Sequence, residues 1–132
     1  QEFELVELCP EDELGLGVPR PPIDVIIREG ELRLWMAEER RDLTEQMHAW
    51  ARERVQRLLQ EGVRGAVSKA RSPSCGVGST PYLDGQSLEC VRYGDGFYVM
   101  ALRELAPELP IIDDEALADV ALRAAFVAAV TR

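Results

Sequence analysis

A chain of 132 residues is long enough for one ordinary domain with its own core. Its 15 Lys and Arg stand against 24 Asp and Glu, a formal charge of -9 that repels a phosphate backbone at long range, so nucleic acid is not expected as a partner. No apolar run approaches the roughly 20 residues that span a bilayer. The acidic start also lacks the basic flank and apolar stretch of a secretory signal, so no membrane association is expected and the chain reads as soluble and cytoplasmic.

In chain order, Phe3 to Leu8 alternates apolar and acidic residues like a half-buried strand, and Cys9-Pro10-Glu11 falls where that strand must stop. The stretch from Pro10 to Pro22 is too rich in Pro and Gly for a helix or a central strand. Within it, Gly15-Leu16-Gly17 lacks the third glycine and helix of a dinucleotide fingerprint. Arg20, held between Pro19 and Pro21, is either a substrate-side residue or a surface arginine. Asp24 to Arg28 and Glu31 to Met36 are β-rich runs joined at Glu29-Gly30, the pattern of a tight hairpin, expected as an antiparallel extension at the side of the main sheet.

Asp42-Leu43-Thr44-Glu45 has the form of a capping box. Met47, Ala51, Val55, Leu58 and Leu59 then recur at helical spacing, and Gly62 supplies the stop. His48 has no second histidine nearby and reads as a boundary residue, and Trp50 as packing. A short strand from Gly65 to Ser68 leads into Arg71-Ser72-Pro73-Ser74-Cys75-Gly76, a turn-forming loop that presents a cysteine.

Beyond it the glycines and Pro81 keep the chain irregular or make a small hairpin through Tyr82, and Cys90 lies in a strand-like run as a structural residue. Gly94-Asp95-Gly96 precedes a helix from Phe97 to Leu105, whose start suits either an anion at its backbone N–H groups or close packing. Pro107 ends that helix, Leu109 to Ile112 is a strand before Asp113-Asp114, and Asp119 to Arg132 is a final helix packed on the sheet.

Strand-then-helix units in series predict an α/β fold, a three-layer sandwich with a small, mostly parallel sheet and a β-hairpin extension. Cys9 and Cys75 would both sit at carboxyl ends of strands, where open α/β sheets bind ligands. Three cysteines with no CxxC pair do not make a closed zinc site or a disulfide scaffold. Two readings stay open: an iron–sulfur cluster, which needs only three thiolates if one iron is left for substrate, or a nucleophile and a bystander. The lack of a credible histidine base weighs against Cys75 as a lone nucleophile.

Together, Cys9-Pro10-Glu11, Gly15 to Pro22, Asp42 to Met47, Lys69 to Gly76 and Gly94-Asp95-Gly96-Phe97 resemble domain-of-unknown-function family 523, which includes the thiouracil desulfidases. The match covers nearly the whole chain. The resemblance implies a 4Fe-4S cluster with Cys9 and Cys75 as two of its three cysteine ligands, and a fourth iron that takes up the sulfur of a thiolated base. The family's first cysteine motif, a Ser-x-Cys-Leu-Leu-Gly-like stretch after an earlier strand, has no match in residues 1–132, so it is expected upstream of Gln1 or else lost. With it, the chain is one domain, 1–132, of an iron–sulfur desulfidase acting on a small thiolated substrate. Glu11, next to a ligand, is the acid–base candidate, and Arg20, Arg71, Ser72 and Ser74 would contact substrate or tune the cluster. Without it, the chain is a non-catalytic binding or regulatory module. A homo-oligomer is compatible with either.

Overall fold

The computed structural model describes Gly15 and residues 21–131, so Cys9, Glu11, Arg20 and the strand expected from Phe3 to Leu8 lie outside the described residues. Strands β1 (Asp24–Arg28) and β2 (Glu31–Met36) form the hairpin. Its turn places Glu29 at φ 53 and Gly30 at φ 79, the pair of positive values that a twist-matched two-residue turn requires. A 3-10 turn at Ala37–Glu39 leads to β3 (Arg41–Asp42) and helix α1 (Thr44–Gln60). Strands β4 (Ala66–Ser68), β5 (Thr80–Asp84) and β6 (Cys90–Gly94) precede helix α2 (Phe97–Leu105). Strand β7 (Ile111–Asp113), the short helix α3 (Asp114–Leu117) and helix α4 (Val120–Val130) complete the chain.

The fold is mixed α/β, with two sheets among the described residues. The small parallel sheet is β4 beside β7, in register from Ala66↔Ile111 to Ser68↔Asp113. The other has five strands in the order β3-β2-β1-β5-β6, and here the expectation needs correcting. Only β1 with β5 is parallel in it, and the other three pairings are antiparallel. The hairpin is therefore the middle of this sheet, not an extension at the side of a mostly parallel one. The cause is connection length: tight turns fold β1 onto β2 and β5 onto β6 before a crossover helix can intervene. No helix among the described residues is long and apolar enough to cross a membrane.

Helix α1 joins the two halves of the core. Its start packs Met47 with Val25, Leu34, Met36, Leu43, Tyr82 and Phe97 under the five-stranded sheet. Further along, Ala51, Val55 and Leu58 pack with Tyr98, Ala101 and Leu102 of α2, against which Ala66 and Ile111 of the parallel pair rest. The expected stripe is thus buried to Leu58, while Leu59 turns outward at 38% exposure. Gly62, at φ 82, ends the helix. His48 is exposed, its ring 5.2 Å from that of Phe97, and Trp50 packs on Tyr98, as read from the sequence.

The capping box does not form. Asp42 Oδ1 accepts from Thr44 N at 2.9 Å, but Glu45 turns to Arg33 on β2, 3.0 Å away, and Arg33 also holds Asp42 at 2.8 Å. A guanidinium fork offers charge-assisted bonds that a neutral backbone N–H does not match. Burial pushes the Asp42 carboxyl up, yet the bonds from Arg33 and Thr44 outweigh it and hold it below its ordinary 3.8. The backbone N–H groups of Ser87 and Gln86 hold Asp84 below 3.8 as well. Both groups bind protons less readily folded than unfolded, so they add stability above about pH 4 that is lost as pH falls through their folded values. Unfolding stability measured by denaturant should drop between pH 5 and pH 3, and the drop should shrink in the Asp42→Asn, Asp84→Asn double variant; an unchanged slope would remove both groups from the acid response.

Candidate active site

The cysteine loop runs from the carboxyl end of β4 to the start of β5, and Ser72 gives it its shape. Ser72 Oγ accepts from the backbone N–H groups of Ser74 and Cys75, each at 3.2 Å. Its carbonyl accepts from Gly76 N at 3.0 Å and from Thr80 Oγ1 at 2.6 Å. One serine thus turns the chain at both its side chain and its backbone, which fixes Cys75 relative to β5. Cys75 is half-buried and packs against the cluster of Tyr98 and Leu102.

The loop is clamped from two further sides. From α2, Gly96 N donates to Gly76 O at 2.8 Å, Phe97 N to Pro73 O at 3.0 Å and Tyr98 N to Ser74 O at 2.8 Å. Of the two readings of that helix start, close packing is the one realised, because its N–H groups are spent on the loop's carbonyls. A side chain at Gly96 would overlap the Ser74–Cys75 backbone, which is why a glycine stands there. Asp95 adds its own bonds, accepting from Gly78 N at 2.9 Å and pairing with Arg103 at 2.6 Å. Its carbonyl accepts from the Tyr82 hydroxyl at 2.7 Å. Burial first, and then the charge of Asp95, push the Tyr82 phenol above its ordinary 10.0, so it stays a neutral donor.

From β7 and α3, three consecutive acids hold the other side. Asp113 is buried, with Oδ1 accepting from Ala116 N at 2.7 Å and Oδ2 facing Ser79 Oγ at 3.4 Å. Asp114 accepts from Ala70 N at 2.8 Å, and Glu115 pairs with the Arg71 guanidinium. Arg71 sits at φ 66, a left-handed conformation that costs a residue with a Cβ about 1–2 kcal/mol, and Ser79 Oγ holds its N–H at 2.9 Å.

Ser74 is the residue that these contacts leave unexplained. It is wholly buried beside Cys75, and its hydroxyl has no hydrogen-bond partner among the described residues. Leaving a buried donor unsatisfied costs about 1–3 kcal/mol. A sulfur-rich anionic group held by the neighbouring thiolate would satisfy it, and in this respect the loop fits one corner of the cluster that the sequence resemblance implies. Among the described residues no group of three or more His, Cys, Asp or Glu side chains is placed to hold a metal ion.

Of the residues singled out in the sequence, Arg71, Ser72, Ser74 and Cys75 share this loop, while Cys9, Glu11 and Arg20 lie outside the described residues. Cys90 is not brought to it. It is exposed on edge strand β6 and pairs with Leu83, three residues along β5 from Thr80, or roughly 10 Å at about 3.3 Å per residue. Nor is it buried, as the structural cysteine expected from its strand-like setting would be, because β6 is an edge strand among the described residues. Sequence reading passes over Asp113, Ser79 and Thr80. For Asp113, a carboxylate directly after the apolar β-run that ends at Ile112 is the available signal.

A family model described as 2-thiouracil desulfurase matches residues 1–114 of the chain. Among solved structures, the 4Fe-4S-dependent thiouracil desulfidase TudS, also designated DUF523Vcz, is similar with a TM-score of 0.65 and 30% sequence identity, over 89% of this chain and 72% of that one. No curated protein matches.

Proposed function

The chain belongs to the 2-thiouracil desulfurase family, and from that membership we propose that it is an iron–sulfur-dependent desulfidase acting on a small thiolated nucleobase or a similar thiocarbonyl compound. In the net reaction a C=S group and water give C=O and hydrogen sulfide, with no electrons gained or lost. The observation that carries the reading to this loop is the buried Ser74 hydroxyl, without a partner among the described residues, next to Cys75 beyond the carboxyl end of a strand.

Cys75 and Cys9 would hold a 4Fe-4S cluster, and Cys90, exposed on edge strand β6, is left out of it. Such a cluster supplies an open iron, a Lewis acid for the thiocarbonyl sulfur. The remaining work falls to the chain. Ser74 Oγ donates to sulfur and lowers the cost of its negative charge. Ser72 positions the thiol through the two N–H bonds it accepts. Arg71 and Arg20 orient the substrate's polar edge, with Arg71 steadied by Glu115. Glu11 takes a proton from the water that attacks carbon and returns it to the departing sulfur.

The test is sulfide release from 2-thiouracil by the full-length protein, reconstituted anaerobically with iron and sulfide. Glu11→Gln should keep its iron while turnover per bound iron falls by roughly 10²–10⁴-fold, the usual contribution of a general acid–base. Unchanged turnover per bound iron would take Glu11 out of the chemistry.

A further inference from the structure

Strand β7 has along its side a cavity of about 400 Å3, walled by Ile112 and Asp113 of the strand, Val77 of the cysteine loop, Ala116 of α3, and Leu122 and Phe126 of α4. Three observations give it chemistry. Val77 is two residues past Cys75, so the cysteine loop itself forms part of the wall. Asp113 is only 7% exposed, and its Oδ2 has a long 3.4 Å contact to Ser79 Oγ. A carboxylate has about four lone-pair sites, so a buried acceptor here retains capacity for another donor. Lastly, α4 is almost wholly apolar and yet has no buried residue, with Leu122 51% exposed. A helix that leaves its apolar side open against a strand makes a wall, not a core.

The size and lining restrict the occupant. About 400 Å3 is near the lower end of the roughly 300–1,000 Å3 range of small-molecule sites, and the walls are apolar apart from one buried acid. Such a groove takes a flat, uncharged ring with an N–H on its edge, and it repels an anion. A thiolated pyrimidine is such a ring, with its N–H next to the thiocarbonyl carbon. Resting on the desulfidase reading, we propose that this groove is the specificity subsite, with Asp113 accepting the ring N–H and Phe126 covering the ring face. Leu122 and Phe126 follow residue 114, where the family match stops.

The experiment is ligand-observed saturation-transfer NMR of 2-thiouracil and uracil with the full-length protein, which reads binding whether or not a cluster is loaded. Both rings should bind the parent. Asp113→Asn keeps the helix cap, because Asn caps as well as Asp. It should weaken binding about tenfold, as expected for a lost hydrogen bond to a charged group. Leu122→Trp, which fills the groove from α4 and leaves the Asp113 carboxylate in the chain, should abolish binding while circular dichroism stays unchanged. Binding that survives both variants, or no binding by the parent, overturns the assignment. So does a changed oligomeric state of Leu122→Trp with binding intact, which gives the groove to a second copy of the chain. The two proposals fail separately: sulfide release untouched by Leu122→Trp removes the subsite and leaves the desulfidase, whereas ring binding with no sulfide release does the reverse.

Discussion

Cys75→Ser, reconstituted under the same conditions as the parent, is expected to take up little iron and to lose the brown absorption and the sulfide release together. A serine oxygen is a hard, weakly acidic donor where the proposed cluster needs a soft thiolate. The variant should nevertheless fold. Cys75 is only half-buried, serine is close to it in size, and Ser72, Gly96 and Asp114 all bond the loop's backbone. Loss of iron with an unchanged melting temperature is therefore the signature. Iron uptake equal to that of the parent would mean that Cys75 is not a ligand.

Gly96→Ala should have the opposite profile. One methyl group there overlaps the Ser74–Cys75 backbone, and main chain does not move aside as a flexible side chain does. Relief requires α2 and the loop to part, which breaks the bonds from Gly96, Phe97 and Tyr98 to the carbonyls of Gly76, Pro73 and Ser74. With each bond worth about 0.5–1.5 kcal/mol, the expected loss is about 2–4 kcal/mol, together with a fall in iron content. Denaturant unfolding measures the first and iron analysis the second. A variant as stable as the parent would show that the helix start and the loop are not coupled.

What the sequence made legible was local. The Glu29-Gly30 turn, the α1 stripe, the stop at Gly62 and the cysteine at the carboxyl end of β4 all follow from rules that act over a few residues, and all are present. What it hid was long-range. Nothing near Glu45 announces that Arg33 on another strand will outbid the helix cap, and nothing near Phe97 announces that its N–H will be used by Pro73. Sheet order is of the same kind. Cys90 was correctly read as strand, but its exposure depends on β6 lying at an edge, which is fixed by pairings across the sheet. Asp113 became a candidate only when register set it beside Ser68 and the loop.

The central claim is that this family member removes sulfur from a thiocarbonyl ring at the Cys75 loop. It is tested most directly by sulfide released from 2-thiouracil per bound iron, measured for the full-length protein and its Ser74→Ala variant. The account predicts steady sulfide release with equimolar uracil from the parent. It also predicts a clear fall per bound iron in the variant, whose lost hydroxyl is buried with no hydrogen-bond partner among the described residues. Iron-loaded parent that releases no sulfide from 2-thiouracil would contradict it.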